Sequence, residues 1–398
     1  MIVSASELAR AVQVLSEART FFPEQQTDAW LTLGTNHLMH LFDEGWSVEE
    51  ILTALQAVLQ GAQAVSKINR RHLFKLGAAA VISGITIPTG SHVSAEERVH
   101  LCEALGTSIA AGWNMFHTAS NAQVLAVGQA ELFLIQEGHY ILPSRDRAAL
   151  YAATYNLIGK AKHLQDRYDE ALDAHISAHI AAMSTGDPWY VAQSLTCQAD
   201  AYQSLGRYTE AIEVIEEALR ILGNFSDERH IRTKAHLLAC WADNALSMRE
   251  YTTVQRKLDE SSSYLTQIDP NEEFDRTSWL QLAGKYAFAI EDYELATKHY
   301  QSAYAELPPN WLIRQAFVLI PLMVVYACTR DREKSLDMAK KAVTTITALN
   351  APTINKQLTD SIKHGLLGVF PEDPQVQEFV VDLPHQFPAF FPTLINAS

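Results

Sequence analysis

Several things are missing from this 398-residue chain, and each absence excludes a class of protein. No apolar run reaches the ~20 residues that a membrane-spanning helix needs. The opening residues, MIVSASELARAVQ, do not form a basic, apolar, small-residue leader. Glycine (17) and proline (14) are too scarce for a low-complexity chain. The four cysteines, Cys102, Cys197, Cys240 and Cys328, are far apart and never take CxxC spacing. They are expected to be reduced core thiols in a reducing compartment, neither a disulfide framework nor a thiolate metal site. Basic residues number 31 against 46 acidic ones, a formal charge of −15 that repels phosphate backbones, so no nucleic-acid partner is expected over the surface as a whole. Phosphate loops, nucleophile elbows, zinc-binding HExxH helices and Gly-rich dinucleotide turns are all lacking. The chain therefore reads as a non-catalytic protein with no cofactor and no metal. His175 and His179 have the i, i+4 spacing of a helical metal pair. However, His175 occupies a large core position of the repeat described next, and the carboxylate pairs Glu216/Glu217 and Glu272/Glu273 read as solvated surface charge.

What is present is a folded composition, 48% hydrophobic and 19% charged, organised by an internal repeat. DRYDEALDA (166–174), GRYTEAIEV (206–214), REYTTVQRK (249–257), EDYELATKH (291–299) and RDREKSLDM (330–338) align on Tyr168, Tyr208, Tyr251, Tyr293 and Arg332. Those positions are 40, 43, 42 and 39 residues apart. Each unit has an apolar helical segment, a short turn bearing glycine or charge, and a second segment with small residues at helical spacing, which together predict a helical hairpin. Leu195, Ala199, Tyr202, Gly206, Tyr208, Ala211 and Ala218 in one unit resemble the tetratricopeptide repeat family. So do Leu280, Gly284, Tyr293, Ala296, Tyr300, Ala303 and Pro308 in another, and Tyr155, Gly159, Tyr168, Ala171 and Ala178 in a third. The units around Tyr251 and Arg332 are degenerate, with Val254 and Ser335 where alanine is expected. The period exceeds the family's usual ~34 residues, so the resemblance is to the long-repeat branch of bacterial regulators and adaptors. It implies an all-α fold, a right-handed tetratricopeptide-like superhelical solenoid.

The resemblance also implies a binding face. First helices of the hairpins line the concave side of such an array, the usual docking surface for a peptide or protein. In register, the lining is Asn156, Lys160 and His163, then Gln193, Thr196, Asp200 and Gln203, then His236 and Asp243, then Ser278, Gln281 and Lys285. It ends in an apolar stretch of Phe317, Ile320 and Val324.

The expected organisation is a small amino-terminal helical domain (1–68), a connecting basic and apolar segment (69–95), the solenoid (96–350) and a Pro/Phe-rich carboxy-terminal cap or tail (351–398) of irregular structure. Ser47 and Glu50 form a capping box at the start of one amino-terminal helix. RRHLFK (70–75) resembles the twin-arginine export motif with its Phe and Leu exchanged, and an apolar run follows it. Sixty-nine residues precede Arg70, which favours an internal linker helix. Lys67, Arg70, Arg71 and Lys75 then form a basic patch for an acidic partner. The leading expectation is a cytoplasmic scaffold or sensor that binds a peptide or protein in its groove. The alternatives are an exported or membrane-associated repeat protein, using 70–95 as a signal, and a peptide-responsive transcriptional regulator with a divergent DNA-binding domain in residues 1–68.

Overall fold

The computed structural model describes residues 95–119, 121–137, 142–265, 274–347, 351–388 and 391. The amino-terminal helices, the twin-arginine-like segment, the basic patch Lys67, Arg70, Arg71 and Lys75, and the Glu272/Glu273 pair lie outside the described residues. Among the described residues the regular structure is helical throughout. The order is α1 (Ala95–Thr118), α2 (Asn121–Glu137), α3 (Ser144–His163), α4 (Tyr168–Met183), α5 (Pro188–Ser204), α6 (Tyr208–Leu222), α7 (Glu228–Ser247), α8 (Tyr251–Ser262), α9 (Arg276–Ala289), α10 (Tyr293–Glu306), α11 (Leu312–Cys328), α12 (Arg332–Thr347), α13 (Pro352–Ser361) continued by a π-helical turn (Ile362–Leu367), and α14 (Pro374–Gln386). The chain divides into two compact units. The described part of unit 1 is 95–116, 122–137, 142–161 and 177–190, and that of unit 2 is 117–119, 121, 162–176 and 191 onward.

In unit 1, two glycines let three helices approach closely. A Cβ on Gly112 of α1 would lie 2.7 Å from Leu157 of α3 and 3.3 Å from Val127 of α2, and one on Gly128 of α2 would lie 2.7 Å from Ile158. The adjoining core is Leu101, Leu105, Ile109, Leu134, Ile135 and Leu150, all buried. Ser108, Glu131 and Thr154 each lie one helical turn from a glycine contact along their own helix. All three are buried, and no side-chain oxygen among them has a hydrogen-bond partner. The Ser108 hydroxyl lies beside the Glu131 carboxyl without meeting hydrogen-bond geometry, and burial raises that carboxyl to about 8.

Unit 2 repeats one device. Asp166, Gly206, Arg249, Glu291 and Arg330 all have positive φ, between 60° and 73°, each two residues before the aligned position of its unit. In every case the next backbone N–H donates to a carbonyl five residues back. Arg207 donates to Tyr202 at 2.8 Å, Glu250 to Ala245 at 2.8 Å, Asp292 to Ala287 at 2.9 Å and Asp331 to Tyr326 at 2.9 Å. This left-handed cap satisfies carbonyls that the helix end would leave bare, and it reverses the chain. Glycine adopts that conformation most cheaply, yet four of the five turns do without it.

The second helix of each hairpin then lays a narrow face against its neighbours. In α6 that face is Ala211, Ile215, Ala218 and Leu222, all fully buried, packed with Leu195, Ala199, Leu237 and Cys240. Burying Ile215 or Leu222 contributes about 1.5–3 kcal/mol each. The degenerate units pack the same way: Val254, Ser261, Ser335 and Ala342 are all at 0% exposure. Their hydroxyls bond to first-helix carbonyls, Ser261 to Ala235 at 2.8 Å and Ser335 to Met323 at 2.9 Å, so small polar residues serve as alanine does.

The expected irregular tail is corrected by the structure. Residues 352–386 form a sixth hairpin, with Pro374 at the first position of α14, where its missing N–H costs nothing. Asp373 caps that helix by accepting from Gln375 and Val376 at 3.0 and 3.1 Å. The π turn places Gly365 against Val324, where a Cβ would stand 3.1 Å from the valine. The start of α13 also meets the end of α3, with Thr353 donating from Oγ1 to the His163 carbonyl at 3.1 Å and from its N–H to Leu164 at 3.4 Å.

Candidate functional site

A cavity of about 520 Å³ lies on the inner face of unit 2. The first helices of five successive hairpins supply its wall: Asp200 and Gln203 from α5, His236, Ala239, Cys240 and Asp243 from α7, Ser278, Gln281, Leu282 and Lys285 from α9, Phe317 and Pro321 from α11, and Gln357 from α13. Phe274, just before α9, and Tyr300 from α10 complete it. The convergence follows from the repeat. Asp200, Asp243 and Lys285 are 43 and 42 residues apart, so they occupy one position on consecutive stacked helices.

Local contacts fix several of these groups. Lys285 Nζ pairs with an Asp243 carboxylate oxygen. The Cys240 thiol donates to Asp200 Oδ1 at 3.5 Å, which ties the α5 carboxylate to the helix turn that carries Asp243. His236 stacks on Phe274, ring centroids 4.9 Å apart and planes 13° from parallel. Tyr300 reaches the cavity because Gly284 has no side chain, and a Cβ there would stand 2.9 Å from the ring. Burial, and secondarily the Asp243 charge, push the Tyr300 phenol well above its ordinary range.

Ser278 is held from behind. Asp275 caps α9 by accepting from the Ser278 N–H at 3.0 Å and the Thr277 hydroxyl at 2.7 Å, and it pairs with Arg314 of α11 at 3.1 Å. Arg314 also donates to the Ser278 hydroxyl. Both members of the ion pair are buried. On the apolar wall, Pro321 lies inside α11 and has no N–H to donate back to the Phe317 carbonyl.

A second cavity of about 640 Å³ lies alongside α13 and its π turn, lined by Tyr168, Val324, Cys328, Thr353, Lys356, Asp360 and His364 among others.

Of the groove positions expected from the sequence, Asp200, Gln203, His236, Asp243, Ser278, Gln281, Lys285 and Phe317 line the first cavity together. Val324 faces the second. Thr196 is 1% exposed, with its hydroxyl donating to the Ala192 carbonyl at 2.8 Å, so it belongs to the helix interior and not the groove surface. Asn156, at 3%, and Ile320, at 1%, are likewise buried behind the surface. Gln193 is half-buried near the start of α5. His163 sits at the α3–α4 turn, its Nε2 3.0 Å from the Ser204 hydroxyl. Lys160 is half-buried in the unit 1 part of α3. His175 is fully buried, and its carbonyl accepts from Gln198 at 3.3 Å. Among the described residues no group of three or more His, Cys, Asp and Glu converges as metal ligands, and no helix is long and apolar enough to cross a membrane.

Ala239, Cys240, Phe274, Leu282, Tyr300, Pro321 and Gln357 were not foreseen in the lining. The usable signals were Gly284, whose bare backbone admits a large side chain, and Asp373-Pro374, which continues the repeat 42 residues after Arg332.

A family model of the tetratricopeptide repeat matches residues 150–224. No curated protein matches the chain. Among solved structures, the chain is similar to BtubC (BKLC) from P. vanneervenii, at 16% identity and TM-score 0.40, over 62% of this chain and 92% of that one. It is similar to a Rap protein complexed with Competence and Sporulation Factor, at 12% identity and TM-score 0.48, over 87% and 97%. A tetratricopeptide repeat protein from Parabacteroides merdae aligns at 14% identity and TM-score 0.39, over 67% and 93%. The described region is an all-α solenoid of helical hairpins with tetratricopeptide repeats in residues 150–224.

Proposed function

We propose that this chain is a non-catalytic scaffold or sensor that holds a segment of a protein or peptide partner in the inner cavity of unit 2, in the role of a regulatory adaptor. The observation that carries the reading is the convergence of five successive first helices on one cavity with both polar and apolar walls. Sites of this kind, a largely preformed concavity with a few placed polar groups, are where ligands dock. Side-chain amides at Gln203, Gln281 and Gln357 can donate to and accept from an extended backbone, while Phe317 and Leu282 can take apolar side chains. None of the four cysteines is in a disulfide, which supports a reducing, cytoplasmic setting.

The direct test is selection from a random heptapeptide library on the immobilised full-length protein, beside a Gln281→Trp variant whose indole fills the cavity. Enrichment on the wild type and its loss in the variant are expected. No enrichment on the wild type removes the reading. Intact mass and fractionation of untagged protein from its native host are expected to show a full-length cytoplasmic species, and a shortened or membrane-bound one would revive the export reading.

A further inference from the structure

The charged groups of the cavity wall are engaged within the protein itself. Lys285 pairs with Asp243, and Asp200 accepts from the Cys240 thiol at 3.5 Å. Ser278 is committed as well, since its hydroxyl receives a hydrogen bond from Arg314 and donates to Asp275 Oδ1 at 3.3 Å. A guest that took over one of these groups would have to break a bond already formed, and would gain only the difference.

Gln281 stands apart from them. Its side-chain nitrogen is buried and has no acceptor, so its loss of water is uncompensated. Turning that nitrogen toward an occupant breaks no hydrogen bond of its own. Gln281 and Gly284 are three residues apart on α9 and so are neighbours on one face of the helix. At Gly284 the Tyr300 side chain of α10 comes through, and the ring carbon that bears its hydroxyl lies 2.9 Å from where a Cβ would stand. The phenol end of the ring is therefore at the same wall as Gln281, about one helical turn away. Burial and the Asp243 charge both keep the phenol protonated, so it remains a donor.

Two donors on a wall whose charges are already engaged select an acceptor that brings no charge. A carboxylate would meet Asp243 beside the phenol, and an ammonium has no lone pair to offer either donor. An amide carbonyl suits both, and Phe317, Pro321 and Leu282 offer apolar surface to the side chain next to it.

We infer that the cavity reads an uncharged amide carbonyl of its guest, from the peptide backbone or from an Asn or Gln side chain, through the Gln281 carboxamide and the Tyr300 hydroxyl. The inference rests on the reading of this cavity as the binding site and adds the chemistry of its ligand.

The experiment is the heptapeptide selection on full-length protein, followed by titration of the most enriched peptide against wild type, Gln281→Met, Tyr300→Phe and the double variant. Met and Phe keep nearly the volume of the residues that they replace and remove the polar groups. Enriched peptides should share an apolar residue at one fixed position with uncharged neighbours, and their affinity should be insensitive to salt. Each single change should weaken binding by about 3- to 10-fold, the loss of one neutral hydrogen bond. The double variant should lose less than the product of the two, because both donors serve one oxygen. The thermal midpoint of Gln281→Met should equal or exceed that of the wild type, since the change removes an unanswered buried donor. Replacing an enriched Asn or Gln by Ala separates the two sources: lost binding assigns the carbonyl to the side chain, retained binding assigns it to the backbone, and either upholds the inference. Peptides charged at the positions beside the fixed apolar residue, or variants that bind as the wild type does, would overturn the inference and leave the binding site standing. A loss of binding that tracks a fall in thermal midpoint would make both residues structural and would overturn it too. No enrichment at all removes the site and the inference together.

Discussion

Each unit buries an acid, and the two are compensated in opposite ways. In unit 2, Asp275 accepts from the start of α9 and faces Arg314 at 3.1 Å, so charge and lone pairs are both answered. In unit 1, Glu131 is equally buried, with no counter-charge and no hydrogen-bond partner at either oxygen, so it is held neutral, near 8. Burial alone therefore does not determine how an acid behaves, because the neighbour decides whether the group stays ionised or keeps its proton. Unit 1 should be sensitive to pH and unit 2 sensitive to the loss of one partner.

The comparison can be broken most forcefully in unit 2. Arg314→Met strands Asp275, and urea denaturation should show a loss of roughly 3–5 kcal/mol. Adding Asp275→Ser, which keeps a capping oxygen on α9, should restore most of that loss. Next comes unit 1. The Glu131 carboxyl binds its proton more tightly folded than unfolded, so stability is complete below about 4.5 and falls as pH rises toward about 8. Hydrogen exchange of α2 amides, corrected for intrinsic rates, should report a loss of roughly 4 kcal/mol between pH 5 and 8, at about 1.4 kcal/mol per pH unit. Glu131→Gln should give a flat profile, and a variant that keeps the slope assigns it elsewhere.

Two smaller effects should be the same at every pH and so set the baseline. Gly128→Ala in unit 1 and Gly284→Ala in unit 2 push a methyl to within 3 Å of Ile158 and the Tyr300 ring, and each should cost about 1–3 kcal/mol. At the turns, Arg330→Gly relieves a left-handed residue and should stabilise by about 0.5–1 kcal/mol, while Gly206→Ala should destabilise by about as much, both read from thermal midpoints.

Much of the architecture was legible because the repeat is spaced by backbone requirements. The five aligned positions follow five left-handed turn residues, and the spacing held even where arginine or glutamate replaced glycine. Val254 and Ser335 read as degenerate because they depart from alanine, yet their sites demand only a small cross-section and a satisfied hydroxyl. The last hairpin was missed because Pro371 and Pro374 looked like breakers, although a proline after a capping Asp373 is a start signal for a helix. Roughly half of the cavity wall followed from one helix position propagated along the array. The rest came partly from neighbouring positions on the same first helices, Ala239, Cys240, Leu282 and Pro321, and partly from a second helix, a loop and the unrecognised hairpin, which periodicity in the first helices does not address. Thr196 went the other way, because a threonine inside a helix can bond its own backbone and need not face out.

The join between Thr353 and the carbonyls of His163 and Leu164 has a consequence for how unit 2 comes apart. An open string of repeats frays from its last member, and the first members barely notice. Here the contact spans 190 residues, so peeling α13 away also uncovers a helix end at the other side of the array. The loop that it closes is long, and chain entropy delays its formation until the hairpins between are in place. The last knot tied in folding should accordingly be the first loosened under force, and its loosening would release the hairpins one after another.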